Sequence, residues 1–276
     1  MTTPEQESQF DPMILKMFDQ GVQNLERGIA EVQREWRALI DRINAALRRV
    51  YAEINDSIWA SVAEWWTDKI AGLVKQIQQL VTEIGERVEK FFQTAQRAVA
   101  GAVPLGSLFA VANEWATRVQ PPLSGLTGQM TGSGSVDSWR GPTKDTYEKR
   151  VQDQKEAVDN AVEKVKSTSG WLAKVAEENT TYMTGLGRVA TDLVGQLTAV
   201  VIDATETGAG AVTQIVITLQ HCSELIGTIV TESLNLALSL AERLAAVLTQ
   251  INELAVEWGD RRGLSADGKW PQAVNA

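Results

Sequence analysis

LERGIAEVQREWRALIDRINAALRRV, residues 25–50, is the stretch whose reading decides the fold. Its apolar residues, Leu25, Ile29, Val32, Trp36, Leu39, Ile43, Leu47 and Val50, follow one another in steps of three and four. That spacing puts them on one face of a helix, and the Glu, Arg and Gln between them supply a solvated opposite face. The stripe continues through Ile54 and Ile58, and resumes as Val62, Trp66, Ile70, Leu73, Ile77, Leu80, Ile84, Val88 and Phe91. Eighteen steps cover the 66 residues from Leu25 to Phe91. The period of about 3.67 is nearer the undecad than the heptad repeat, and predicts a straight or slightly right-handed bundle. Asn55-Asp56-Ser57 are poor helix-interior residues and good caps, so two antiparallel helices are expected over 13–100, with one kinked rod as the alternative.

Outward from that stretch, residues 1–12 read as a tail, with Asp11-Pro12 as a helix start. Gly101 to Gly106, with Pro104 inside it, is expected to break the helical pattern. A first module then covers 13–103 and a second covers 104–258, ahead of a polar tail over 259–276. Pro121-Pro122 is expected to close or interrupt a short helix over 107–118, and the Gly/Ser/Thr-rich stretch over 123–136 reads as a loop or a frayed helix end. A second charged stripe runs Tyr147, Val151, Val158, Val162, Val165, Leu172, Val175, and Gly185 and Gly187 are expected to end it.

The next segment differs. Between Tyr182 and Trp258 there are two basic residues, Arg188 and Arg243, against eight acids. A segment apolar around much of its circumference calls for burial or for lipid contact. Acids at 203, 206, 224, 232 and 242 interrupt it, so a transmembrane span is not expected. Gly208-Ala209-Gly210 is the expected tip of a hairpin, and the Val/Ile/Thr content near 200–218 leaves a short β-hairpin or a helical turn open. The fold class is therefore all-α, an elongated bundle of long antiparallel helices.

Composition excludes several function classes. A net charge of −9 argues against nucleic acid as a partner, because a binder needs a basic stripe to displace counterions. One His and one Cys, the neighbours His221 and Cys222, leave little material for a metal site or a nucleophile–base pair. Adjacent helical residues also diverge by about 100°. No Gly-rich phosphate loop follows a strand. No enzyme, catalytic residue, metal or cofactor is expected. The polar, acidic start is not a Sec-type signal peptide, so a secreted or surface location would need another route, and a cytoplasmic one is the alternative.

Nine Trp is a high count, and Trp36, Trp59, Trp65, Trp66, Trp115 and Trp171 fall in or near the stripes as expected core anchors. Trp65 and Trp66 cannot both face one core, so one of the pair, together with the Gly208/Gly210 tip, is a candidate contact with a partner or a membrane.

One turn stands out. Ser138-Trp139-Arg140-Gly141-Pro142 ends the flexible run and opens a helix, with Pro at the first helical position and Gly before it. Its large indole is expected to tuck against a neighbouring helix. Trp139 and Gly141, followed by Asp145, Tyr147, Val151, Gln154 and Ala157-Val158, resemble the Trp-x-Gly (WXG) helical-hairpin substrates of type VII (ESX) secretion over roughly 107–185. The resemblance implies a turn that packs its Trp at the end of a hairpin. It also implies helical partners, either a second copy or a small Trp-x-Gly protein, and contact with the secretion machinery. The family's export signal, Tyr followed four positions later by Asp or Glu, is absent, since Tyr51, Tyr147 and Tyr182 have Asn55, Val151 and Leu186 there. Export then depends on a partner that carries the signal. Two other readings remain open: a membrane-active, pore-forming bundle using the apolar 189–248 segment, and an intracellular helical scaffold.

Overall fold

The structure, a computed structural model, describes residues 12–56, 60–129, 138–200, 209–260 and 262–264. Four long helices dominate: α1 (Pro12–Asp56), α2 (Ala60–Glu114), α4 (Pro142–Ala199) and α5 (Ala209–Gly259), with a short α3 (Gln120–Gln129) after α2. No strand occurs among the described residues. The all-α bundle expected from the stripes is what forms. Residues 209–218, where the composition leaves a β-hairpin open, are helical, and 201–208 lie outside the described residues.

Two compact units divide the chain. Unit 1 comprises 1–18, 104–179 and 241–276, and unit 2 comprises 19–103 and 180–240. Each is assembled from segments far apart in sequence, and all four long helices contribute to both.

In unit 2, Trp36 of α1 lies over Gly85 of α2, its ring carbon Cζ2 3.2 Å from where a Cβ would sit. A continuous rod would hold those residues about 70 Å apart at 1.5 Å per residue, so α1 and α2 form a hairpin. The buried face of α1 contains Leu25, Val32, Leu39, Ile43 and Val50 from the apolar stripe, together with Gly21 and Gly28. In α2 it contains Ile70, Ile77, Ile84, Val88, Phe91, Ala95, Ala98 and Ala102. These positions repeat in threes, fours and sevens, a heptad spacing rather than the longer period counted over the whole stripe. Ile29, Trp36 and Leu47 ride half-exposed at the edges, and the five steps of four between Val50 and Ile70 are what lengthen the period counted over the whole stripe.

Gly21 and Gly28 let α1 approach α4. A Cβ on Gly21 would stand 3.2 Å from the Met183 Cβ, and one on Gly28 would stand 2.6 Å from that of Ala190. The offset is the same at both points, so α1 and α4 run parallel here. Further along α1, Arg42 closes the end of α4, donating from Nη2 to the Leu197 carbonyl (3.1 Å) and from Nη1 to that of Val200 (3.3 Å). Between α4 and α5 the pairing is antiparallel, Gly185 against Leu236 and Arg188 against Glu232.

Three expected breaks do not occur. α2 passes through Gly101 to Gly106 with Pro104 inside it, and the Pro104 carbonyl accepts from the Ser107 hydroxyl at 2.8 Å. An interior Pro costs about 3 kcal/mol. In unit 1 the helix is held by Phe109, fully buried, whose ring meets Phe18 edge-on at 5.2 Å. α4 likewise runs unbroken through Gly185 and Gly187, because Gly185 is where Leu236 of α5 fits, its Cδ1 3.0 Å from a would-be Cβ. Packing outweighs helix propensity at both places. Pro121-Pro122 fall in the first turn of α3, just after a π-turn over Trp115–Val119 in which the Gln120 amide reaches back to the Trp115 carbonyl. The wider turn makes room for rings that an α-helical turn would force against the preceding carbonyls.

Gly28→Val should lower stability by about 1–3 kcal/mol through overpacking against Ala190. Gly72→Ala, on the exposed side of α2 with nothing within 4 Å of its Cβ position, should raise it by about 0.5–1 kcal/mol. Urea denaturation of the two variants checks both signs.

Candidate functional site

The Trp139 turn is built as a helix start. Gly141 adopts φ +87°, which an L side chain rarely takes, and its carbonyl accepts from the amides of Lys144 (3.0 Å) and Asp145 (3.4 Å). Pro142 is the first residue of α4, and Asp145 places a carboxylate in the first turn, where the helix dipole favours it. Trp139 does not tuck against a neighbouring helix. It stays 46% exposed and packs on Tyr147, two turns into the helix it precedes, with ring centroids 5.9 Å apart and planes at 56°. The three residues singled out in the sequence are thus brought together: Gly141 turns the chain, and Trp139 and Tyr147 form one aromatic pair at the surface.

The other sequence candidates are not gathered into a site. Trp65 and Trp66 lie on α2, with side chains outside the described residues. Gly208 is also outside them, and Gly210 belongs to the first turn of α5. The described tryptophans expected as core anchors are seam residues instead. Trp36, Trp115 and Trp171 are half-exposed, and Trp171 donates its indole N–H to the Val247 carbonyl at 2.9 Å. An indole buried whole would have to find an acceptor inside an apolar core, whereas a seam offers a carbonyl.

His221 is exposed and Cys222 buried, so they point apart as their adjacency implied. Burial pushes the Cys222 thiol up to about 11, far from the thiolate that reactivity requires. Among the described residues no three His, Cys, Asp or Glu side chains stand close enough to hold a metal ion.

A cluster that the sequence did not disclose closes the end of α5 in unit 1. Lys164 of α4 is buried, and its ammonium donates to the carbonyls of Asp260 (2.5 Å) and Trp258 (3.4 Å) while lying 5.9 Å from the Trp258 ring. Asn160 adds a bond to the same Asp260 carbonyl at 3.4 Å. The last carbonyls of a helix have no internal partners and carry the negative end of its dipole, so a cation there is doubly favourable. Ser167 donates to Glu257 at 2.9 Å, the Trp258 indole donates to Thr168 at 2.9 Å, and Trp115 stacks obliquely on Trp258 at 6.1 Å. Gly263, at φ +76°, lies against the backbone of Asp153, Glu156 and Ala157, where any side chain would collide. In sequence, Lys164 is one lysine among several on a charged helix; only Trp258-Gly259 hinted at a helix end here.

The Arg262 guanidinium hydrogen-bonded to Asp260 holds its carboxyl below the usual carboxylate range. Arg262 also pairs with Glu163 at 3.3 Å.

The remaining feature is a surface. Two helical stretches, within Asp68–Leu126 and Val212–Gly259, contain 18-residue windows long and apolar enough to cross a membrane, with mean hydropathies of 1.3 and 1.2. This corrects the expectation that no such window exists: the acids spread along the whole segment mask the run that begins after Glu232. In the α5 window none of the residues is buried. Leu236, Leu240, Leu244, Val247 and Leu254 are half-covered, while Leu234, Leu238, Leu248, Ile251 and Val256 are exposed.

Lys164→Met should destabilise by about 1–3 kcal/mol, since it keeps the apolar stem, removes the donor to the Trp258 carbonyl and leaves the Asp260 carbonyl only the longer bond from Asn160. Thermal unfolding at neutral pH reads this. Because the folded-state pKa of Asp260 is depressed, its contribution is present above the ordinary carboxylate pKa and lost as pH falls through the lower folded value. Acid titration of wild type and Asp260→Asn should therefore diverge near neutrality and converge at low pH.

No family model, curated protein or solved structure matches the chain.

Proposed function

We propose that this chain is a non-enzymatic helical component of a type VII secretion system, a substrate or an interaction partner of one, working through protein–protein contacts. The observation that carries the reading is the turn. A Gly with φ +87° turns the chain, and a Trp and a half-exposed Tyr form one aromatic pair at the head of a 58-residue helix. The resemblance links those three residues in sequence, and their contact gives that link a physical content. An aromatic pair left half-exposed on a helical protein is a ready anchor for another helix. The buried thiol, and the lack of any three-residue metal cluster among the described residues, give catalysis no support.

The competing reading, a membrane-active bundle, draws on the exposed apolar stretch of α5. It asks more of the chain. Glu242 and Arg243 sit inside that stretch, Arg243 is already paired with Glu178 of α4 at 3.0 Å, and a charge at the centre of a membrane span costs about 2.5–3.5 kcal/mol.

Trp139→Ala and Gly141→Ala should each reduce the amount of protein in the culture supernatant of a type VII-competent host, with cellular levels unchanged. Equal export of both variants and wild type would remove the turn from any export role. Dye release from liposomes by the wild-type protein at neutral pH should be at background, and leakage at micromolar protein would favour the membrane reading.

A further inference from the structure

A helix apolar around most of its circumference is stable in water only if most of that circumference is covered. α5 is covered on one side. The uncovered side carries Leu234, Leu238, Ala241, Ala245, Leu248, Asn252 and Ala255, and all seven are exposed. They follow one another in strict steps of four and three, the seam spacing of a two-stranded coiled coil. None is charged, in a chain of net charge −9.

We propose that this face of α5 is a homotypic seam, on which a second copy of the chain lays its own α5 in parallel and in register. Two features select that occupant, and the area of the face sets how tightly it is held. The first is Asn252. Leu238, Ala245 and Asn252 share one of the two seam positions, and Leu234, Ala241, Leu248 and Ala255 share the other. An Asn at the first position finds its partner in the same Asn of a parallel, in-register copy. An antiparallel pair centred on Ala245 would oppose Asn252 to Leu238, and a lipid surface would leave it unpaired.

The second feature is charge. The residues flanking the seam are Asn235, Glu242 and Thr249 on one side and Ala237, Leu244 and Ile251 on the other. In the parallel pair Glu242 of each copy meets Ala237 of the other, so no like-charge contact forms although both chains are acidic. Area bears on strength. From Leu234 to Ala255 the face is about 32 Å long and about 10 Å wide. That footprint of about 320 Å² per copy falls short of the roughly 800 Å² per partner that a standard stable interface buries. The pair is therefore reversible, with Ala241, Ala245 and Ala255 letting the helices approach closely and Leu234, Leu238 and Leu248 supplying the apolar contact.

This inference is independent of the type VII reading, since it concerns α5 and not the Trp139 turn. The test is register-specific cross-linking in the full chain. Asn252→Cys should give a disulfide-linked dimer under mild oxidation several-fold faster than Asp192→Cys, a control on the exposed side of α4. Native Cys222 is buried, with its thiol pushed up to about 11, and adds no background. Wild type should show concentration-dependent sedimentation. Leu248→Glu should abolish it with helicity unchanged, because Leu248 is 53% exposed in the single chain. Equal cross-linking at 252 and 192, with wild type monomeric up to on the order of 100 µM, would overturn the proposal. So would binding to phosphatidylcholine vesicles that Leu248→Glu abolishes while wild type does not self-associate, which would assign the face to lipid.

Discussion

The contact on which unit 2 depends is the close approach of α1 and α4 at Gly21 and Gly28. Parallel helices can lie this near only where one of them has no Cβ, and a Cβ at position 28 would come within 2.6 Å of the Ala190 Cβ. Two glycines seven residues apart hold two turns of that proximity and set its register. Once the register is set, Leu25 and Val32 of α1 and Leu186, Val189 and Leu193 of α4 are all fully buried. Glycine in a helix interior costs roughly 0.5–1 kcal/mol relative to Ala, and two such costs are small beside the burial they permit, about 1.5–3 kcal/mol for each large apolar side chain.

A second theme recurs at helix ends. α4 stops at Ala199 with its last carbonyls bonded to Arg42 of α1, and α5 stops at Gly259 with its last carbonyls bonded to Lys164 of α4. In each case a cation from another helix satisfies the orphan acceptors and meets the negative end of the dipole. Such caps fix where a long helix ends relative to its neighbour, which apolar packing alone does not: a heptad seam slipped by seven residues would bury nearly the same side chains.

The Trp139 turn and the uncovered face of α5 differ in kind. The Trp139–Tyr147 pair is compact, aromatic and attached to a rigid helix start, the sort of feature that anchors one partner. The α5 face is long, aliphatic and uncharged, suited to another helix of the same period. Neither gathers titratable groups into a cleft. The grooves beside α5 are lined by ordinary surface residues, such as Arg87, Lys90 and Glu224 in unit 2 and Lys166, Lys174 and Glu253 in unit 1.

Periodicity was enough for the all-α class, and backbone preference for the helix start at Gly141-Pro142, because each rests on interactions a few residues apart; a hairpin and a kinked rod over 13–100 both stayed open until Trp36 was seen against Gly85. Steps of three and four make a face whatever it later meets, and Gly141-Pro142 starts a helix by its own backbone preferences. Only the tertiary structure decided what each face meets. Gly185 read in sequence as a break, and nothing there marked Gly21 or Gly28, yet all three are points of close helix contact; Lys164 read as one more charge on a wet helix and is a buried cap. A glycine or a lysine has no local signature for these roles. Each is defined by an atom on a helix distant in the chain, and no period within one segment encodes that distance.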